Sequence, residues 1–341
     1  MSVCRAGWLA AAALAFVVAL ASGADAAETN LRFTLDRRIE GPAAPFLLPL
    51  DKGYYKAEGL NVSIDPARRT IEAITRVASG DYDMGFADIN RVIKFRDENP
   101  KTPVTAVFMV YNRPPFAVIA RKSRGVSTPK DLEGKRLGAP ADGSAFALWP
   151  IFAKVNDIDA AKVTIENVGF QVRDPMLAAG QVDAITGLSF SSYVDLKDKG
   201  VPVADLSVLL MADYGVNLYG SAIIVNPKFA AAHADAVKGF LRAFVRGLKL
   251  TVASPASALD SVIERTDPGR KAIELERLNI VIGQNIVTQE VKANGYGGID
   301  GGRFERAIDQ LALAYKFREK PKLDDVFDAS FLPPESERKA N

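Results

Sequence analysis

The chain has 341 residues, 48% of them hydrophobic and 25% charged, and its formal net charge is +2. Lysines and arginines are interleaved with acids, which excludes the basic stripe that nucleic-acid binding demands. The length implies two domains, and a single His with a single Cys leaves little material for thiolate, Cys/His zinc or triad chemistry.

At the N-terminus Arg5 precedes an apolar run, 8–21, followed by Ser22-Gly23-Ala24-Asp25-Ala26-Ala27. A charged start, a short apolar stretch and a small-x-small site predict a signal peptide over 1–27, cut after Ala26 or Ala27. The run is shorter than the ~20 residues of a membrane span. Cys4 lies inside this segment, away from the cleavage site, so the mature chain is expected to carry no cysteine and no disulfide. His233 reads as an exposed residue at a helix start. No catalytic residue, cofactor or metal site is expected.

From residue 31 strands and helices alternate. Residues 31–35 and 60–64 alternate apolar and polar as strands do, with a helix over 46–56 between them. A helix over 70–79 stops at Gly80, a C-cap glycine; a strand over 82–87 and a helix over 89–98 follow. Apolar strands are expected at 104–110, 116–120, 163–168, 182–186 and 208–211, then at 222–225. Beyond Asn226-Pro227 the chain turns helical. Over 234–252, Val237, Phe240, Leu241, Phe244, Val245 and Leu248 share one face. Further helices are expected over 268–287 and after Gly301-Gly302, the latter presenting Phe304, Ile308, Leu311 and Tyr315. Such alternation predicts mostly parallel sheets with right-handed crossovers.

Two stretches echo each other. Ala78-Ser79-Gly80-Asp81-Tyr82-Asp83 and Ala178-Ala179-Gly180-Gln181-Val182-Asp183 each read as a helix end, a stop glycine and an Asp opening a strand. The strands then end in short polar loops carrying Asp88 and Asn90 in one case, Thr186, Ser189 and Phe190 in the other. Two units of this kind present strand carboxyl ends to a shared cleft, where open α/β sheets bind ligands.

The segment TPKDLEGKRLGAPADGSAF, 128–146, ends a strand in small residues. Gly143 and Ser144 there offer backbone N–H groups and a hydroxyl to an anion, either at a helix start or, with Pro150 opening a helix near Trp149, as a loop nest. An ordinary strand-to-helix turn explains the same residues.

Four segments carry a family resemblance: Gly53-Tyr54-Tyr55-Lys56-Ala57-Glu58-Gly59-Leu60, the 78–83 stretch, Asp131-Leu132-Glu133-Gly134-Lys135, and Met176-Leu177-Ala178-Ala179-Gly180-Gln181-Val182-Asp183. Together, over about 31–335, the chain resembles the extracytoplasmic substrate-binding proteins of ABC importers, in the branch of nitrate, sulfonate, taurine and thiamine-pyrimidine binders. The resemblance implies an α/β fold of the type II periplasmic binding protein kind: two Rossmann-like lobes with mixed, mostly parallel sheets, joined by a double-crossover hinge that closes on a ligand. Lobe 1 is then 28–118 with 221–341 and lobe 2 is 119–220, with the crossings near 116–121 and 219–224. It further implies a periplasmic monomer serving inner-membrane permease subunits.

Pyrimidine binders typically end their first strand in Leu-Asp-Trp, whereas this chain reads Leu35-Asp36-Arg37-Arg38. Arg37 suits stacking on a ring or bidentate pairing with a carboxylate or sulfonate; Arg37 and Arg38 are equally readable as exposed loop charges. Asp88 is read as a helix cap or as the holder of an amino group. The expected ligand-binding set is Arg37, Arg38, Asp88, Asn90, Gly143, Ser144, Thr186, Ser189, Phe190, Asn217 and Tyr219; Tyr214 serves cover or core. The expected cargo is a small anionic or zwitterionic molecule: a sulfonate, taurine-like compound, nitrate or carboxylate. A thiamine pyrimidine or other heterocyclic vitamin precursor is the alternative. The rival from another class is a pyrimidine-synthase-like enzyme, whose His and Cys-rich motif the mature chain lacks.

Overall fold

The computed structural model describes residues 28–340; the expected signal peptide lies outside them. Two five-stranded sheets organise the chain, in the orders β2-β1-β3-β10-β4 and β7-β6-β8-β5-β9. The first contains β1 (Thr29–Leu35), β2 (Leu60–Pro66), β3 (Met84–Asp88), β4 (Thr105–Met109) and β10 (Ser221–Val225). The second contains β5 (Phe116–Arg121), β6 (Arg136–Ala139), β7 (Thr164–Asn167), β8 (Ala184–Leu188) and β9 (Leu206–Leu210). Both orders follow one plan. In each, the strand that enters directly from the other lobe, β5 or β10, runs antiparallel to both of its neighbours. The other ladders, β1 with β2 and β3 and β6 with β7 and β8, are parallel.

The repeated A-x-G-x-x-D stretch has the same bonding in both lobes. Asp83 donates its N–H to the Arg32 carbonyl (3.0 Å) and accepts the Arg32 N–H on Oδ2 (2.7 Å). Asp183 does the same with Arg136, at 3.0 and 2.9 Å. Gly80 (φ 85°) and Gly180 (φ 70°) sit in the left-handed region that ends each helix. A short motif thus anchors β3 to β1 in one lobe and β8 to β6 in the other.

The Thr70–Ser79 and Ile89–Glu98 helices cover the first sheet as the sequence anticipates. The expected 46–56 helix is divided into Ala44–Asp51 and Tyr54–Ala57, with Gly53 left-handed at φ 68° between them. The Ala234–Ala253 helix buries Val237, Phe240, Leu241, Phe244, Val245 and Leu248. Phe33, Tyr55 and Phe240 stack there, with centroids 4.8 to 5.1 Å apart. Gly247 lets this helix cross Ala44–Asp51: a Cβ at that position would lie 2.1 Å from Pro49 Cγ.

The chain crosses between sheets at 110–115 and returns over 211–220, so Phe116–Arg121, at the expected departure point, is already a strand of the second sheet. The crossings are tied to each other: Tyr111 N–H donates to the Ser221 carbonyl (2.9 Å) and Gly220 N–H to the Tyr111 carbonyl (2.9 Å). C-terminal elements grip both. Arg303, in the Gly301–Leu311 helix, donates to the Asn112 carbonyl (2.8 Å) and the Leu218 carbonyl (2.7 Å). Asn285, in a π-helical turn at Ile282–Ile286, exchanges two bonds with Arg113. The Lys271–Val281 helix lies against both lobes, touching the Gly41–Ala43 turn and the Ser189–Asp198 helix. Gly41 is obligatory for that contact, because a Cβ there would stand 2.0 Å from the Glu274 carbonyl oxygen.

Candidate functional site

A cleft of about 1510 Å³ lies between the lobes, walled by the loops after β1, β3, β6 and β8 and by the Lys271–Val281 helix. The strands' carboxyl ends face it, as the parallel topology requires.

Arg37, Arg38, Asp88, Gly143, Ser144 and Thr186 line this cleft. Arg37 is half-buried, paired with Asp36 Oδ1 (3.2 Å), and its guanidinium lies 5.5 Å from the centroid of Phe190. Arg37 thus stacks on the protein's own ring, carried by the other lobe. Phe190 is buried beneath it, in the core. Arg38 is exposed, 2.6 Å from Glu40 and 3.6 Å from Asp195.

Asp88 takes the capping role open to it in the sequence, and does so with one oxygen. Its Oδ1 caps the Ile89–Glu98 helix, accepting the Asn90 N–H (3.1 Å) and the Asn90 side-chain amide (2.8 Å). Its Oδ2 is buried with no partner in hydrogen-bonding geometry. Burial pushes the carboxyl up to about 6, against the lowering effect of Asn90, Arg91 and the Ser144 hydroxyl, which approaches from the second lobe. Thr186 Oγ1, on β8, is likewise buried and unpartnered.

The amides of 143–144 are only partly available to a ligand. Gly143 donates to the Pro140 carbonyl (2.9 Å), closing an ordinary turn. Ser144–Ala147 forms one helical turn, and a separate helix, Trp149–Val155, opens with Pro150 in its first turn.

The remaining expected residues stand behind the walls. Asn90 is buried, its amide also bonding the Tyr219 carbonyl (2.8 Å). Ser189 donates its hydroxyl to Gln284 (3.0 Å). Tyr219 donates to Glu290 (2.9 Å), accepts the Asp300 N–H (2.8 Å) and carries the Arg303 guanidinium 3.9 Å from its ring centroid. Asn217 is exposed, with its N–H on Gln310. Tyr214 packs edge-on against Phe152. These residues brace the crossings and the core, and none of them lines the cleft.

Several lining residues escaped the sequence reading. Arg277 is 1% exposed and lies among Asp195 (2.6 Å), Glu274 (3.3 Å) and Glu40 (3.5 Å). Glu274 accepts the Gly41 N–H (2.7 Å) and is raised by burial, which the Gly41 bond and Arg277 oppose. The signal was present in the spacing: Glu274, Arg277, Leu278 and Val281 follow a helix core face, yet two of them are charged. Arg173 pairs with Asp174 (3.0 Å) and Arg270 with Asp198 (3.3 Å). Across the cleft mouth Arg69 pairs with Asp142. Tyr111 also lines the wall, with its hydroxyl raised by burial.

The charges of the cleft are therefore largely matched internally. Arg37, Arg38, Arg69, Arg173, Arg270 and Arg277 all have carboxylate partners. Arg68 and Lys199, which have no such pair among the described residues, are exposed. Phe170 and Val172 add half-exposed apolar surface to the wall. An arrangement of this kind encloses a polar molecule with an apolar part more readily than a bare anion.

Comparison with known proteins gives the same architecture. The family model described as NMT1/THI5 like matches residues 42–258. The riboflavin-binding protein RibY of Chloroflexus aurantiacus is 27% identical over 297 residues, covering 85% of this chain and 82% of that protein. A 4-amino-5-hydroxymethyl-2-methylpyrimidine phosphate synthase of Schizosaccharomyces pombe is 26% identical over 213 residues, 59% of this chain and 60% of that one. The periplasmic aliphatic sulphonate-binding protein SsuA of Escherichia coli superposes with a TM-score of 0.68 at 11% identity, covering 87% of this chain and 91% of that chain. The fold is that of periplasmic binding proteins.

Proposed function

This chain belongs to the NMT1/THI5-like family, and on that premise we propose that it is an exported solute-binding protein of an ABC importer. It captures a small polar organic molecule between its lobes and hands it, as a monomer in the periplasm, to the permease. The expected signal peptide over 1–27 supports export, and no helix among the described residues is long and apolar enough to cross a membrane. The bodies that close are those expected from the sequence, 28–118 with 221–341 and 119–220, with the first boundary moved back to 110–115 because β5 belongs to the second sheet. Its role is binding, not catalysis; the relative named as a synthase matches over 60% of its own length.

The observation that carries the reading is the interlobe cleft of about 1510 Å³, walled by both lobes. Closure there desolvates a ligand, so that few hydrogen bonds hold it strongly, and the closed shape reports loading to a partner. Because the buried and half-buried arginines are paired, a heterocyclic cargo of the vitamin or vitamin-precursor kind is favoured over nitrate, a sulfonate or a simple carboxylate. Such a cargo also fills more of the volume. The relative named as riboflavin-binding supports this choice.

The test is a thermal-shift panel on the mature chain with riboflavin, 4-amino-5-hydroxymethyl-2-methylpyrimidine, MOPS, taurine, nitrate and succinate. A ligand at a hundred times its Kd adds about 2.7 kcal/mol to the folded state. Stabilisation by a ring compound is expected. A flat panel, with no small molecule retained in native mass spectrometry, refutes the binding role.

A further inference from the structure

Asp88 is, among the described residues lining the cleft, the buried charge without a counter-ion. Asp36, Glu40, Asp174 and Glu274 are also buried in this wall, and each has an arginine within 3.5 Å. Asp88 has none, and it is 3% exposed. One of its oxygens is fully used by Asn90, while the other is buried with no partner in hydrogen-bonding geometry, and Asp88 is a residue of the cleft wall. A buried carboxylate oxygen left in this state is costly unless something completes it. On the opposite lobe Thr186 lines the same cavity, and its hydroxyl is likewise buried and unpartnered.

What completes a carboxylate oxygen is a hydrogen-bond donor. A sulfonate, nitrate or carboxylate placed there would set like charges against each other out of water. An amino group or a ring N–H would make a charge-assisted bond. Resting on the reading of the cleft as the cargo site, we propose that Asp88 selects the chemical class of the cargo. The bound molecule presents an N–H donor to Asp88 Oδ2, Thr186 takes a second polar atom of it, and an anionic head group is rejected at this end. The groups around Asp88 are Arg91 on its own helix, Ser144 from the second lobe, and Tyr315 from the C-terminal segment, whose hydroxyl also lacks a partner. Arg91 in turn reaches the Asp142 carbonyl (3.4 Å) beside the Arg69–Asp142 pair. None of them forms an ion pair with Asp88.

The experiment is calorimetric titration of wild type, Asp88→Asn and Thr186→Ala with riboflavin, 4-amino-5-hydroxymethyl-2-methylpyrimidine, MOPS and nitrate. At least one donor-bearing probe should bind wild type. Asp88→Asn should weaken it roughly tenfold to a hundredfold, and Thr186→Ala severalfold. MOPS and nitrate should bind wild type more weakly than that probe, and no more weakly in Asp88→Asn. Tighter wild-type binding of MOPS or nitrate overturns the assignment, as does an undiminished donor affinity in Asp88→Asn. Failure of all four probes to bind folded protein also overturns it, and a small molecule retained in native mass spectrometry would then leave the binding role standing. Should Asp88→Asn not fold, wild-type affinity for the donor probe should still rise severalfold between pH 5 and 7 as Asp88 ionises; a flat profile overturns the proposal.

Discussion

Arg277→Met removes a guanidinium that is 1% exposed and stands among three carboxylates. Met keeps most of the volume, so the loss is electrostatic more than a cavity. Glu40 would be left with the exposed Arg38 at 2.6 Å, Glu274 with the Gly41 N–H at 2.7 Å, and Asp195 with Arg38 at 3.6 Å. Breaking a buried pair from one side costs about 3–5 kcal/mol, because the partner charge remains buried. Asp195→Asn cuts the same cluster differently. Asp195 is the partner contributed by the second lobe, and Arg277 keeps Glu40 and Glu274. The loss of global stability should then be nearer 1–2 kcal/mol, while the lobes lose a tie and the ligand-free protein opens. Urea unfolding followed by circular dichroism measures the first effect; small-angle scattering and hydrogen exchange over 189–198 measure the second. Arg277→Met within about 1 kcal/mol of wild type would refute the account of the cluster. Asp195→Asn with unchanged scattering and exchange would refute its interlobe role.

Two further outcomes follow from groups at the crossings and the cleft. Arg303→Lys retains the charge but loses the planar fork that reaches Asn112 and Leu218 carbonyls together; exchange at 110–115 and 211–220 should quicken, with about 1–3 kcal/mol lost in urea unfolding, and unchanged exchange there would show the fork is dispensable. Asp88 binds its proton more tightly folded, at about 6, than unfolded, at 3.8. Its contribution to ligand-free stability is present in full below about pH 4 and is lost as pH rises through about 6, by about 3 kcal/mol. Asp88→Asn should flatten that part of the stability profile; an equal slope in both proteins would place the buried charge elsewhere.

Most of the scaffold was legible because it is written locally. The Thr70–Ser79 and Ile89–Glu98 helices, the apolar face of Ala234–Ala253 and the paired stop glycines follow from periodicity and capping within one segment. The cleft was legible only where a residue's position at a strand end was enough, as for Asp88, Ser144 and Thr186. Phe190 and Ser189 follow the same strand as Thr186, but the Ser189–Asp198 helix turns them inward, toward Arg37 and Gln284. No window of sequence contains that rotation. Arg277 left only a local trace, the charged Glu274 and Arg277 on a helix core face; its other partners lie at positions 40 and 195, and only the fold brings them within reach.

The charge arrangement also bears on how relatives of one fold come to hold different cargo. Strand-end loops supply the polar atoms in both lobes, so the scaffold fixes where a ligand sits without fixing its charge. In this chain Arg37-Arg38, after the first strand, reads in sequence like an anion site, and the fold brings further arginines to the same cleft. Folding pairs Arg37 with Asp36, Arg173 with Asp174 and Arg277 with Glu40, Glu274 and Asp195, and each pairing removes a cation from the ligand's account. Among the described lining residues, what remains without a hydrogen-bond partner is the Asp88 acceptor, the Thr186 hydroxyl on the other lobe, and Arg277 Nε, which stands 3.3 Å from Glu274 within its ion-pair cluster. Selectivity then falls to the unpaired groups, because a ligand gains most where the closed protein has left a bond unmade. Counting unmatched atoms, rather than charges, is therefore the sounder guide to the cargo of this cleft.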